Sequence, residues 1–228
     1  MGRAFSYVAV ILLALAAGYY FAIYRAAPVH VVGPIAITTP QTLEVTTVKK
    51  NESTTAYTVD AQYPQFGDAA IDSKIEKVVT DVIDEIKELP ANPPDMASPQ
   101  NELTIRFESP YIGPDIVSVK LITSEYTGGA HANSLFSGLN FDRASGKQLL
   151  QEDAFRMIGL SAQQVSTAAT AQLKERLGDL FFAEGASSNP ENFSSFLVSD
   201  DKVTFIFQPY QVAPFSEGPQ EVSFERKR

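Results

Sequence analysis

The stretch Asp68-Ala-Ala-Ile71-Asp-Ser-Lys-Ile75-Glu-Lys-Val78-Val79-Thr-Asp-Val82-Ile83-Asp-Glu-Ile86-Lys-Glu-Leu89-Pro90 decides the fold. Its apolar residues, Ile71, Ile75, Val78, Val79, Val82, Ile83, Ile86 and Leu89, follow a 4-3-1-3-1-3-3 spacing that places them on one face of a helix. Asp72, Lys74, Glu76, Lys77, Asp81, Asp84, Glu85, Lys87 and Glu88 cover the opposite face. Asp68 caps the first turn, and Pro90 with Pro93-Pro94 stops the helix. Carboxylate pairs such as Asp81 and Glu85 have a spacing seen in catalytic pairs, but a solvated helix face produces it equally well. A helix with a single apolar stripe has to lay that stripe on another layer.

The flanking segments supply that layer. Before the helix, Val45, Thr47 and Lys49 alternate with Thr46, Val48 and Lys50, and Ala56 to Ala61 follows the polar turn Asn51-Glu52-Ser53, as in a hairpin. After it, Leu103 to Phe107 and Ile116 to Ile122 read as strands around the turn at Gly113-Pro114, and Ala132 to Asp142 as a third. Ser161 with Gln164 forms a capping box for a second helix, whose stripe is Val165, Ala169, Leu173, Leu177 and Leu180. Phe193 to Val198 and Val203 to Phe207 bracket the turn Ser199-Asp200-Asp201-Lys202, and Val222 to Phe224 ends the chain as a short strand. The order β-β-α-β-β-β-α-β-β-β, with short turns between strands, predicts an α+β protein with antiparallel sheets, each packed with a helix.

Upstream, Phe5 to Tyr24 is an uncharged apolar run of 20 residues. As a helix it spans about 30 Å, a bilayer's hydrocarbon core. Arg3 and Arg25 flank it, and Tyr19, Tyr20 and Tyr24 gather at one end like an interfacial belt. It reads as a single-pass signal anchor in the lipid bilayer. Ala14-Leu15-Ala16 offers the alternative of a cleaved signal peptide. With four residues before the span, the functional part lies on its C-terminal side, which places that part outside the cytoplasm at the cell (inner) membrane. The expected division is an anchor over 1–25, a Pro-punctuated tether over 26–41, a smaller β-β-α-β-β domain over 42–126 and a C-terminal domain over 127–226.

Composition narrows the chemistry. The chain of 228 residues has no Cys, which removes disulfides, thiolate metal sites and cysteine nucleophiles. Its two histidines, His30 in the tether and His131 in the folded part, are too few for a histidine metal cluster. No metal site and no cofactor is expected. Net charge is −9, and excluding Arg3 and Arg25 leaves 16 basic against 27 acidic residues, or −11 for the exported part. That field repels nucleic acid and anionic headgroups and suits solubility or a cationic partner. G-x-S-x-G, H-E-x-x-H, P-loop and dinucleotide motifs are all missing from the sequence.

Two segments remain as candidates. In Tyr126-Thr-Gly128-Gly129-Ala-His131-Ala-Asn133, the paired glycines at a strand border permit positive φ, a bulge or close backbone approach. His131 reads either as fixed to a backbone carbonyl or as part of a binding surface with Gly128, Gly129 and Asn133. Catalysis through His131 is the rival, without a base, nucleophile or ligand set to complete it. In Phe205-Ile-Phe207-Gln-Pro-Tyr210-Gln-Val-Ala-Pro214-Phe215, an apolar strand runs into an aromatic loop. That loop either covers a core or forms an exposed lip around Tyr210.

These segments, with Asn140-Phe141-Asp142, Ser145-Gly146-Lys147, Asp153-Ala-Phe155 and Gly218 in this order, resemble the RsiV-like exported domain family. The helix after Tyr63-Pro64 resembles that family's smaller N-terminal partner domain. The resemblance implies a two-part α+β domain outside the cytoplasm. Such domains occur in lysozyme-sensing anti-sigma factors and beside peptidoglycan deacetylase domains. The short N-terminal stub cannot hold a sigma factor, and no deacetylase domain accompanies the match. What carries over is a non-catalytic binding or sensor module of the cell envelope. Its implied partner is a cationic, lysozyme-like protein or a cell-wall glycan. The alternative is a cell-wall-acting envelope enzyme using His131.

Overall fold

Asp68 opens the first helix, α1 (Ala69–Glu88), as its side chain predicts. Its carboxylate accepts from the N–H groups of Ala70 and Ile71 at 2.9 and 3.1 Å. The computed structural model describes residues 42–92 and 100–227. The anchor and tether readings, including Phe5 to Tyr24 and His30, lie outside the described residues. Among the described residues, no helix is long and apolar enough to cross a membrane. Ile71, Ile75, Val79, Ile83 and Ile86 of α1 are buried, while Leu89 just beyond it is 40% exposed. The charged face is solvated and laced by the pairs Lys77–Asp81, Lys50–Glu76 and Lys87–Glu52.

Five strands receive the helix: β1 (Thr46–Ser53), β2 (Tyr57–Gln65), β3 (Asn101–Ile112), β4 (Ile116–Tyr126) and β5 (Asn133–Asp142), paired in that spatial order. Residues of odd number in β2 to β5, among them Val59, Leu103, Ile105, Val119 and Leu139, share one buried cluster with α1. Three pairings are antiparallel, as expected. The fourth corrects the expectation: β2 and β3 run parallel. A helix joins them, and a crossover of that length returns the chain in the same direction, whereas a tight turn reverses it. A shift in register between Glu108 and Tyr111 bends β3, with Ser109 at a φ of 51°.

A second layer combines α2 (Gln151–Ile158), α3 (Ala162–Leu177) and a three-stranded antiparallel sheet of β6 (Phe196–Val198), β7 (Lys202–Phe207) and β8 (Gln220–Glu225). Its core is rich in phenylalanine. Phe193 meets Phe205 and Phe207 edge-on, at centroid distances of 5.3 and 5.7 Å. Such pairs add to the area they bury. The sequence reading has one helix here; α2 is additional. With Ala154, Phe155 and Ile158 its only buried residues, eight positions are too few to display a helical period. Its cap is also unconventional, since Asp153 reaches back to the Leu150 N–H at 2.9 Å. The strand expected from Phe193 is shorter, because Pro190–Phe193 forms a 3-10 turn and pairing begins at Phe196.

The two layers meet where β6 crosses β4 and β5. Gly138 of β5 lies so close to β6 that a Cβ there would stand 1.7 Å from the Phe196 carbonyl oxygen. Around this contact, Asn140 Nδ2 donates to Phe196 O at 2.7 Å. Ser118 Oγ donates to Asn140 Oδ1 at 2.6 Å and accepts from Val198 N at 3.1 Å. Lys120 pins the layers farther along, 3.2 Å from both Glu108 and Glu221. Burial opposes its charge, but these two carboxylates prevail and hold its pKa above the usual lysine value. Residue 127, where the sequence suggests a boundary, falls in the β4–β5 loop. β5 completes the first sheet before the chain turns to the second core.

Candidate functional site

The β4–β5 hairpin ends in a six-residue loop, Thr127–Ala132, between Tyr126 at the end of β4 and Asn133 at the start of β5. Gly128 takes a φ of 93°, a conformation that non-glycine residues rarely adopt. Gly129 has no positive φ, and a Cβ there would make only an ordinary contact, 3.6 Å from His131 O. The paired glycines thus form a hairpin tip rather than a bulge. The exposed His131 points Nδ1 at the Ala132 carbonyl, 2.9 Å away. Asn133 is exposed at the start of β5.

The tip meets the loop that follows β7. The His131 ring stacks on Phe215 at 4.0 Å between centroids and 16° between planes. Tyr210 lies against the same phenylalanine, at 5.4 Å and 33°. The structure therefore brings His131 and Tyr210 together through Phe215, a residue the sequence reading leaves inside the loop. Gly128, Gly129 and Asn133 belong to the supporting tip and make no ring contact in this cluster. Phe215's role has no local sequence signal, because its partners are five and 84 positions away.

Tyr210 is the most exposed large apolar side chain among the described residues, at 60%. It sits in the turn Gln208-Pro209-Tyr210-Gln211, closed by the Gln211 N–H donating to Gln208 O at 2.9 Å. Pro209 occupies the second position of that turn. Tyr210 occupies the third with a φ of 68°, where type II geometry favours glycine. A tyrosine there is strained by about 1–2 kcal/mol. The cross-braces of the loop hold it: Gln211 Oε1 accepts from Gln208 N, and Gln211 Nε2 donates to Gly185 O and Asn192 O.

Beside the loop runs the outer edge of β5. Gln208 Oε1 accepts from Phe136 N at 2.8 Å, and Gln208 Nε2 donates to Phe136 O at 2.7 Å. Ser195 Oγ also donates to Phe136 O and accepts from Gly138 N. A cavity of about 340 Å³ opens along this edge, lined by Leu135 to Leu139, Gln148, Ser194, Ser195 and Gln208. Near the tip, Glu125 has a pKa above the usual carboxylate value, first through burial and then through the charge of Glu85. Among the described residues, no group of three or more His, Asp or Glu is placed to hold a metal ion. No carboxylate among them is hydrogen-bonded to His131.

Comparison with known proteins fits this two-part construction. Residues 50–134 match the family described as deacetylase PdaC, and residues 157–227 match a protein family of unknown function, DUF3298. His131 thus falls in the first match, Tyr210 and Phe215 in the second. The chain is 24% identical over 189 residues to the peptidoglycan-N-acetylmuramic acid deacetylase PdaC of Bacillus subtilis (strain 168), covering 81% of this chain. It spans 40% of that relative's length. Two crystal structures share the fold. One is a member of the DUF3298 family from Bacteroides fragilis NCTC 9343, 18% identical, with a TM-score of 0.54 over 80% of this chain and 90% of the other. The second is a DUF3298 family protein from Pseudomonas aeruginosa PAO1, 16% identical, with a TM-score of 0.51 over 83% and 95%. The chain thus combines PdaC-like and DUF3298-like segments, and its similarity to the Bacillus deacetylase extends beyond the first of them.

Proposed function

We propose that this chain is a non-catalytic binding or sensor module of the cell envelope, anchored in the membrane through Phe5 to Tyr24 with its folded part outside the cytoplasm. The observation that carries the reading is the His131–Phe215–Tyr210 cluster. It is a solvent-facing set of rings at the junction of two layers, with Tyr210 held in a strained turn. Strain of this kind persists where surrounding structure enforces it and clusters at binding sites. Stacked rings present a rigid contact surface at small entropic cost. The ligand is a lysozyme-like cationic protein or peptidoglycan. The acidic excess supports the first, and the name of the Bacillus relative supports the second. The RsiV-like resemblance accommodates both.

The test is retention of lysozyme and of purified peptidoglycan by the immobilised full chain at low and high salt. Retention at low salt is expected, with at least ten-fold weaker binding for Tyr210→Ala and His131→Ala. A cationic protein held by charge is released at high salt by screening, whereas peptidoglycan held through its sugar rings stays. Failure to retain either ligand at low salt would refute the reading. Cell-wall turnover abolished by His131→Ala in a folded protein would establish an enzyme instead.

A further inference from the structure

In a chain of net charge −9, no residue lining the cavity at the β5 edge carries a charge. Leu135, 52% exposed, and Phe136 give it an apolar side, and Ser137, Gln148, Ser194, Ser195 and Gln208 surround it with hydroxyls and carboxamides. Ser195 and Gln208 are committed to the β5 backbone. Ser137, Gln148 and Ser194 have no side-chain hydrogen bond to another described residue. The cavity is thus ringed by neutral groups able to donate and accept, beside the turn that carries Tyr210.

We infer that this cavity binds an N-acetylated amino sugar within a glycan chain. The inference rests on the binding-module reading and names the ligand class. Three observations select it. The lining fits the acetamido group, with a leucine for its methyl and carboxamides or hydroxyls for its N–H, C=O and neighbouring hydroxyls. Polar ligand groups buried without such partners would lose their hydration uncompensated. Tyr210, exposed and two residues from the lining Gln208 in the same turn, offers a flat ring to the C–H face of a pyranose. An extended peptide is disfavoured, because strand addition needs open N–H and C=O groups, and Gln208 and Ser195 already occupy those of Phe136. A lysine-rich protein would need carboxylates here, and none lines the cavity.

The experiment titrates the full chain, held in polyoxyethylene detergent, with chitotetraose, cellotetraose, peptidoglycan strands freed of their stem peptides by amidase, and a free stem peptide, read by calorimetry. Chitotetraose or the peptidoglycan strand is expected to bind at least ten-fold more tightly than cellotetraose, which lacks acetamido groups. Binding of the peptidoglycan strand alone identifies a muramic acid-containing chain as the source; binding of chitotetraose identifies N-acetylglucosamine alone as sufficient. Leu135→Arg and Gln148→Leu, both at solvent-accessible positions, are each expected to weaken binding at least five-fold while leaving the melting temperature unchanged. Equal binding of cellotetraose, no binding of any glycan, stronger binding of an extended stem peptide, or unchanged affinity in both variants would overturn the inference. Retention of lysozyme without glycan binding would overturn it while leaving the binding-module reading intact.

Discussion

Gly138→Ala would drive a methyl group into the backbone of β6. The added Cβ would lie 1.7 Å from Phe196 O, 2.5 Å from its carbonyl carbon and 2.8 Å from its nitrogen. All three neighbours are main-chain atoms, so no side-chain rotation relieves the clash, and β6 must retreat from β5 by roughly 1.5 Å to restore van der Waals distance. That retreat breaks the Asn140–Phe196 and Ser118–Val198 hydrogen bonds, whose side chains are 0% and 1% exposed. Two buried polar groups left unpaired cost about 1–3 kcal/mol each, and overpacking adds about 1–3 kcal/mol. A loss of at least about 3 kcal/mol is expected, a large part of the 5–15 kcal/mol typical of a folded domain. The chain has no Trp, so urea unfolding followed by far-UV circular dichroism is the suitable assay. Gly129→Ala is the control, since its nearest new contact is 3.6 Å and its backbone φ is not positive. A change below about 1 kcal/mol for Gly138→Ala with an unaltered denaturant slope would refute the close β5–β6 approach.

Other substitutions probe separate joints. Tyr210→Gly is expected to be about 1 kcal/mol more stable than Tyr210→Ala in thermal melts, because both remove the ring but only glycine relieves the left-handed φ of 68°; equal melting would contradict the strained turn. Ser118→Ala removes a hydroxyl serving both Asn140 Oδ1 and Val198 N, with an expected loss of about 1–3 kcal/mol in denaturant unfolding. Glu125→Gln is expected to stabilise at pH 7 by about 0.5 kcal/mol, the side chain being partly solvated. The sign follows from the raised folded pKa. The neutral carboxyl is favoured in the native state, so stability falls as pH rises past the unfolded value, and the variant's gain should vanish at acid pH. A gain that persists at pH 3 would show that charge is not its origin.

α1 was legible because 20 residues repeat a period, and the capping signals at Asp68 and Ser161 act within three or four residues of the groups they bind. The β1–β2, β3–β4 and β6–β7 hairpins were legible from their short turns, whereas the β4–β5 hairpin was hidden behind the boundary the sequence suggests near Thr127. α2 was hidden because eight residues with three buried positions hold no clear period. The parallel β2–β3 pairing was misread because strand direction depends on the path of the connecting helix. Within the candidate site, His131 and Tyr210 stood out as an unusual residue type and as part of an aromatic loop. Phe215, the ring between them, had nothing local to mark it.

The sequence by itself determined the elements that short-range forces control: the amphipathic helices, the strand alternation, the turns, and the exclusion of thiol chemistry by composition. Only the tertiary structure decided that the hairpin tip at His131 faces the loop of Tyr210, that Gly138 must lack a side chain, and that an uncharged cavity borders the β5 edge. Each depends on groups tens of residues apart. Contacts at such separations are set by how two cores bury their apolar faces against each other, which no local pattern encodes.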